Sequence, residues 1–445
     1  MIPCARMTEP EPVRVAVVSL GCPKALVDTE KMLALLAEAG CLVCAPEEAA
    51  DVILINTCAF IAPARDESLA AIRRAVALKR RGPVRRVVVA GCLPQREGRK
   101  LLDAEGGIDA VVGVFDRTRI VEAVTAGQVP FVRVGRRPSP CQDDRGRFRL
   151  TGRHTAYLRI AEGCGAGCSF CTIPALRGPL RSKPAERVLD EARELAADGA
   201  VELNLIAQDT TAYGADLPGG TDLAGLLERL DAVESVRWLR VMYAHPARVT
   251  DRLLDALARC RRVAAYLDLP IQHVSDSVLE AMGRGYGRRD VEELLEKLRR
   301  RVAGIALRTT LMVGFPGEGP GEFKELADFV RTQRLDAVGV FTYCPEPGTR
   351  AAGLPGRPPA GASRRRRDRL MRLQQEIAFA ANAAKVGSEV EVLVDGVDPA
   401  GRCVGRHPGQ APDVDSVCIL RQPRPAGRIV PAKVVACDGY DLIVD

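Results

Sequence analysis

The sequence predicts an α/β chain in three parts: an N-terminal doubly wound parallel sheet over 13–134, a central incomplete (β/α)6 TIM-like barrel over 153–385, and a small C-terminal antiparallel β-barrel over 386–445. Three observations predict it. From Val13 onward short β-branched runs alternate with helix-like stretches, the pattern of parallel strands covered by helices. A polar segment rich in Pro, Gly and Arg, 135–152, interrupts that alternation and reads as a linker. After Val386 the helical stretches cease, and short alternating strands with turns replace them.

In the first part VRVAVVSL (13–20), DVILINT (51–57), RRVVVAG (85–91) and AVVGV (110–114) read as strands. Helices are expected over ALVDTEKMLALLAEAG, stopped by Gly40, and from Pro63 to about Arg81. Cys22, Cys58 and Cys92 each follow such a strand by one or two residues, at the carboxyl end where open α/β sheets collect ligands. A strand, a Cys and a turn, three times over, suggest a shared metal site. The alternative is three small buried thiols. Cys41 and Cys44, in CLVC, lie inside an apolar strand-like segment and read as core.

The second part offers six strands: AYLRIA (156–161), ELNLIA (202–207), SVRWLRVMYA (235–244), YLDLPIQ (266–272), ALRTTLMVGF (306–315) and AVGVFTYC (337–344). Helical patterns lie between them, such as AERVLDEARELAADG after Pro184 and DVEELLEKLRRRV from Asp290. Six units are two short of the usual eight, and the open side would suit a macromolecular substrate. SRRRRDRLMRLQQEIAFAANAAK (363–385) reads as a long basic helix whose Arg run is a solvated face, with phosphate contact as the other reading.

Composition sets outer bounds. The 445 residues, 47% hydrophobic and 27% charged, are ordinary for globular domains and exclude wholesale disorder. No run of about 18 apolar residues exists. MIPCARMTEPEPVRV carries acids and prolines where a signal peptide needs an apolar stretch, so a cytoplasmic chain is expected. Fifteen cysteines in a reducing compartment argue for metal or catalytic use ahead of disulfides. The net charge of +7 rests on Arg, with nine Lys among 64 basic residues, and by itself says little about nucleic acid.

CGAGCSFCTIP (164–174) places Cys164, Cys168 and Cys171 at CxxxCxxC spacing. A closed zinc site wants four ligands, and none of the four His (154, 245, 273, 407) is near in sequence, although a distant fourth ligand stays open. Three thiolates would also hold an iron-sulfur cluster with one iron free to bind a small molecule and pass it an electron. The loop follows the first barrel strand, hence the catalytic face. Gly163, Gly165 and Gly167 let the chain wrap closely. Phe170 reads either as a platform for a flat ring or as a core aromatic.

GCGAGCSFCTIPALRG resembles the cluster loop of radical S-adenosylmethionine enzymes. Cys22, Cys58 and Cys92, in SLGCPKALVDTE, NTCAF and AGCL, resemble the N-terminal cysteines of the methylthiotransferase family. The C-terminal barrel is similar to that family's TRAM domain, so the resemblance runs from about Val13 to Asp445. It implies two 4Fe-4S clusters, one on each cysteine trio, and S-adenosylmethionine as co-substrate. Gln208, Asp209, Gln272 and His273 lie at predicted strand ends and, as polar residues at the barrel top, read as cofactor contacts beside Phe170 or as supports behind such contacts; GFPGE (314–318), with Gly314 and Glu318, resembles a family segment near the cofactor and also reads as a plain βα turn. Two positions depart from the family pattern: Ala25 stands where Asn is usual and Lys183 where Arg is common.

LIAQDTTAYG (205–214), YLDLPIQHVSDSVLEAMGRGY (266–286) and APDVD (411–415) resemble the RimO-type, ribosomal-protein branch; the transfer-RNA branch more usually has Asn at the position of Asp209. Residues 386–445 carry six Lys and Arg against nine Asp and Glu, a net of −3, which would repel phosphate and attract a basic ribosomal protein. The branch implies methylthiolation of an Asp β-carbon in small-subunit ribosomal protein S-twelve, free or in the ribosome. Its partners would be a low-potential electron donor such as flavodoxin or ferredoxin and a sulfur source, with no membrane. A transfer-RNA methylthiotransferase, a non-catalytic iron-sulfur carrier and a zinc-binding interaction protein are the other readings.

Overall fold

The computed structural model describes residues 11–136, 141 and 143–445. They form two units: the first holds the residues up to 136 with 144–150 and 175–177, the second the remainder.

In the first unit, strands β1 (Arg14–Ser19), β2 (Leu42–Val43), β3 (Val52–Thr57), β4 (Arg86–Gly91), β5 (Ala110–Gly113) and β6 (Phe131–Arg133) make one parallel sheet in the order β2-β1-β3-β4-β5-β6. Side chains alternate across a strand, so each apolar run feeds two faces. Ile53, Ile55, Val87 and Val89 pack with Ala71, Ile72, Ala75 and Val76 of α2 (Ala62–Arg81). Their neighbours Leu54 and Val88 pack with Met32 and Leu36 of α1 (Pro23–Glu38), and with Ile120 and Ala123. Strand order reverses between β1 and β3, and a doubly wound sheet opens its ligand crevice at such a point, beyond the carboxyl ends. Cys22 and Cys58 follow these two strands, and Cys92 opens α3 (Cys92–Glu97) after β4.

Two expectations need correction here. Cys41 is buried, but Cys44 is exposed at φ 61°, because β2 ends at Val43 and the chain turns outward. Residues 144–150, expected in the linker, belong to the first unit: Asp144 pairs with Arg117 of the 114–119 turn at 2.6 Å, and Leu150 N–H donates to Glu30 of α1 at 2.9 Å. Residues 137–140 and 142 of that linker lie outside the described residues.

The second unit begins with β7 (Thr155–Arg159) and a two-stranded ribbon, β8 (Ala161–Glu162) and β9 (Arg181–Ser182). Strands β10 (Glu202–Ile206), β11 (Trp238–Val241), β12 (Val263–Asp268), β13 (Ala306–Val313) and β14 (Ala337–Thr342) extend β7 into a six-stranded parallel sheet, order β14-β13-β12-β11-β10-β7. Helices pack outside it, and β7 and β14 remain as edges, so the barrel is incomplete, as expected. The long helix Ala360–Lys385 closes this series, and its Arg run is not all solvated: Arg366 reaches back to Glu318 at 3.2 Å.

Strands β15 (Glu389–Val397), β16 (Cys403–Arg406), β17 (Cys418–Leu420), β18 (Ile429–Asp438) and β19 (Asp441–Val444) form a closed barrel, antiparallel except where β17 meets β19. Its fastening to the larger barrel is polar. Glu202, 0% exposed, lies between Arg240 at 2.9 Å and Arg406 at 2.7 Å. Tyr157 donates to Asp413 at 2.8 Å, Tyr266 to Asp415 at 3.0 Å, and His154 bonds Asp395 at 2.9 Å. The acidic surplus expected to attract a basic partner is therefore partly spent inward. The APDVD segment supplies two of those inward carboxylates. A cavity of about 590 Å3 opens beside this junction, lined by Arg308, Gln374, His407 and Asp415, at the amino ends of β13 and β14.

Candidate functional site

Two cysteine trios stand at the carboxyl ends of the two parallel sheets. In the first unit Gly21 has φ 99°, and a Cβ there would lie 3.0 Å from the Cys58 Cβ and 3.4 Å from its Sγ. Glycine is what lets the Cys22 turn approach Cys58. Gly91, at φ 95°, does the same before Cys92, where a Cβ would fall 2.3 Å from Asn56 Oδ1. Thr57 locks the two turns together, its hydroxyl donating to Ala90 O at 2.6 Å and accepting from Leu93 N at 3.2 Å. Asn56 donates to the Ala25 carbonyl at 2.7 Å, so α1 is held by a side chain from β3.

The thiols are electrostatic neighbours: charge on Cys22 raises both Cys58 and Cys92. Burial pushes Cys92 up to about 11 and Cys58 upward. Cys22 is exposed to solvent but closely surrounded by protein, and Lys24, Arg177 and the backbone N–H groups of Ala25 and Lys24 hold its thiol below the ordinary value. Cys22 is the N-cap of α1, where the helix dipole favours a thiolate. Arg177, 2% exposed, donates to Cys92 Sγ at 3.5 Å and to Asp28 at 2.8 Å. Asp28 in turn takes Arg117 at 2.7 Å, so this cation is shared with a carboxylate.

In the second unit the loop 163–171 leaves β8 under tight constraint. A Cβ on Gly163, at φ 80°, would lie 1.9 Å from the Pro179 carbonyl, and Gly167 takes φ 71°. Gly165 faces open space, and nothing in its surroundings demands glycine. The Ala166 and Ile173 N–H groups each donate to a sulfur, Cys164 and Cys171, at 3.4 Å. Arg284 donates to Cys168 Sγ at 3.2 Å. The thiols again feel one another, and burial pushes Cys171 up to about 12 and Cys164 upward. Ser169 pins the loop to the end of the helix Asp276–Met282, its N–H on Met282 O at 2.8 Å and its hydroxyl on Ala281 O at 2.7 Å.

Around this loop stand the other expected residues. Phe170 packs edge-on against Phe315, centroids 6.4 Å apart. Gln208 donates to Glu162 at 2.8 Å, while its buried Oε1 has no partner among the described residues. Asp209 is bound by Thr211 and Arg248 and stands close enough to Cys164 to raise that thiol. Gln272 sits at φ 74°, its backbone laddered to Thr310 and Met312. At Gly314 a Cβ would meet Ser363 Oγ at 2.1 Å, and the Gly314 N–H bonds the Glu318 carboxylate. Burial pushes Glu318 up to about 7 despite that bond and Arg366. His273 is fully buried, with Nδ1 accepting from Ser275 N at 3.0 Å. Lys183, 1% exposed, pairs with Glu191 at 2.5 Å.

Sequence reasoning missed Arg177, Arg284 and Asp28, which bring charge to the thiols. A signal for the first two existed: each Arg precedes a Gly, in ALRG and GRG, beside a motif already singled out. Among the described residues no three His, Cys, Asp or Glu converge on one ion position. A four-iron cluster spreads its thiolates over separate corners, and three cysteines with peptide N–H and guanidinium donors to sulfur fit that group. Among the described residues Gln208 Oε1 and His245 Nδ1 have no partner; the amide oxygen accepts and the ring nitrogen donates or accepts with its tautomer, so both fit polar groups of a small ligand.

Comparison with known proteins follows the same three parts. The model of Uncharacterized protein family UPF0004 matches residues 14–113, that of the Radical SAM superfamily 158–330, and that of the TRAM domain 386–445. The ribosomal protein uS12 methylthiotransferase RimO of Syntrophus aciditrophicus is 42% identical over 97% of this chain and 98% of its own length. That of Symbiobacterium thermophilum is 44% identical, over 97% and 90%. Among solved structures, the radical S-adenosylmethionine methyltransferase TsrM from Kitasatospora setae matches 76% of each chain with a TM-score of 0.55 and 18% identity, a likeness of fold.

Proposed function

The chain belongs to the RimO family of ribosomal protein uS12 methylthiotransferases, and on that premise we propose that it adds a methylthio group to the β-carbon of an aspartate in uS12. Cys164, Cys168 and Cys171 would hold one 4Fe-4S cluster and Cys22, Cys58 and Cys92 the other. Bound there, the clusters would supply one-electron reduction of S-adenosylmethionine in the second unit and sulfur for transfer in the first.

This chain's own residues bind, orient and keep dry. Peptide N–H groups of Ala166 and Ile173 and the Arg284 guanidinium orient the sulfurs of the second unit. Gln208 Oε1 and His245 Nδ1, without partners among the described residues, stand beyond β10 and β11, and Glu318 holds the Gly314 turn closed. Arg177 and Lys24 hold the Cys22 thiol below its ordinary value, toward the thiolate a cluster takes as ligand. The observation that carries the reading is the pair of cysteine trios, each with an arginine on one sulfur. A reduced flavodoxin or ferredoxin would be the electron donor, a separate sulfur source would refill the first site, and the setting would be cytoplasmic. Among the described residues no helix is long and apolar enough to cross a membrane.

The test is anaerobic reconstitution with iron and sulfide, then reductant, S-adenosylmethionine and recombinant uS12. A methylthio gain on one Asp of uS12, with deoxyadenosine released, is expected. Deoxyadenosine without that gain would move the substrate to transfer RNA, and neither product from a loaded protein would sink the reading.

A further inference from the structure

Arg284 lies in the turn EAMGRGYG between Gly283 and Gly285, both at φ 70°. It is 7% exposed. Among the described residues its guanidinium has three hydrogen-bond partners: Tyr286 Oη at 2.8 Å from Nε, the Pro270 carbonyl at 2.7 Å from Nη2, and Cys168 Sγ at 3.2 Å from Nη1. None is a carboxylate. The Tyr286 hydroxyl donates its own proton to Ile271 O at 2.8 Å, which leaves a lone pair turned to Arg284. The Tyr286 ring centroid lies 5.3 Å from the guanidinium carbon.

The turn is fixed against the cysteine loop. A Cβ on Gly283 would lie 3.3 Å from Gly167 O, and Ser169 bonds the last two carbonyls of the preceding helix. Arg284 and Cys168 are therefore held in one frame.

A buried cation without an anion costs several kcal/mol, so this arginine is stable only beside a group that carries negative charge. Cys168 as a cluster ligand is that group. Reduction adds one negative charge to a cluster, and a fixed cation with an N–H donor on a ligand sulfur stabilises the reduced form more than the oxidised one. Arg177 is placed differently at the first trio, because Asp28 takes part of its charge.

We propose that Arg284 is a positioning residue that raises the reduction potential of the cluster on Cys164, Cys168 and Cys171. This rests on the cluster reading above. The test uses the full chain with Cys22, Cys58 and Cys92 changed to Ala, loaded with iron and sulfide and titrated with dithionite while the reduced cluster is followed by electron paramagnetic resonance.

Arg284→Gln is expected to lower the equilibrium for reduction about tenfold at fixed donor potential, about 59 mV toward the negative. Arg284→Lys keeps the charge without the fork and should recover part of it. Tyr286→Phe leaves ligands and guanidinium in place and should give a smaller shift of the same sign, so it decides the matter if Arg284→Gln loads poorly. Equal midpoints in loaded parent and variants would overturn the proposal. A parent that takes up no iron would overturn the cluster reading and this inference with it, an outcome distinguishable by metal analysis alone.

Discussion

The second unit takes its three thiols from one loop, whereas the first unit gathers its three from the ends of three strands separated by whole helices. The local trio needs only that loop 163–171 be shaped correctly. The dispersed trio exists only when β1, β3 and β4 lie side by side. The cations differ as well: Arg284 faces Cys168 with no carboxylate among its partners, and Arg177 shares itself between Cys92 and Asp28. Two sites with the same ligand count can thus be tuned apart by one neighbouring aspartate.

The largest effect separates the sites by chemistry. Cys168→Ala should abolish deoxyadenosine release, while Cys58→Ala should leave release intact and stop methylthio transfer. Release measured with and without uS12 checks this, and release surviving Cys168→Ala would reverse the assignment of roles.

Glycines divide them next. A Cβ at Gly163 would collide with a backbone carbonyl at 1.9 Å, and one at Gly91 with Asn56 at 2.3 Å and Thr57 O at 2.8 Å. Each Gly→Ala change should cost about 3 kcal/mol or more locally. Iron content should fall from about eight to about four per chain in either variant. Resonance spectra should show that the missing cluster is the second unit's for Gly163→Ala and the first unit's for Gly91→Ala. Full loading in both would mean that the loops yield more readily than their geometry says.

Glu202→Gln tests how the C-terminal barrel is fastened. With 0% exposure for Glu202 and Arg240, the change leaves buried Arg240 without its carboxylate, while Arg406 keeps Asp395 at 2.8 Å, and should cost about 3 kcal/mol. Denaturant melts followed by the single tryptophan, Trp238, which lies in the second unit, would check it. A loss below about 1 kcal/mol would show the junction to be soft.

What could be read in advance divides along the same line. The CxxxCxxC loop is legible from spacing because all its ligands are local. The dispersed trio is legible only through a repeated strand-Cys pattern, since β-branched runs reveal where a parallel sheet ends. The six strands were placed by their apolar runs, although β11 is shorter than SVRWLRVMYA and β12 starts earlier than YLDLPIQ. Contacts such as Arg284 with Cys168, Glu202 with Arg406 and Asp144 with Arg117 leave no periodic trace, because each joins residues far apart by a single side chain. Cys44 shows the converse: its neighbours Leu42 and Val43 are apolar, but the strand is two residues long and ends before it.

The smallest expected effect is a difference in acid response. All four histidines lie in the second unit, and burial lowers His245, His273 and His407 to about 3. His273 and His407 each use Nδ1 to accept a backbone N–H at 3.0 Å, a bond that protonation would break. The unfolded chain takes up protons below about pH 6.5 that these native imidazoles refuse, so stability falls as pH drops through the window from 6.5 toward 3. At pH 5 each contributes a loss of about 2 kcal/mol relative to pH 7, less for the partly exposed His407. Burial raises Glu318 to about 7 and Asp268 above its usual range, and groups so shifted gain stability as pH falls, which offsets part of the loss. The net decline in Trp238-reported stability from pH 7 to pH 5 should be on the order of 2 kcal/mol. Hydrogen exchange in the strands of the first unit, which has no histidine, should show a smaller decline over the same range. His273→Gln should flatten the second unit's profile, and a profile that stays as steep in that variant would assign the acid response to its carboxylates instead.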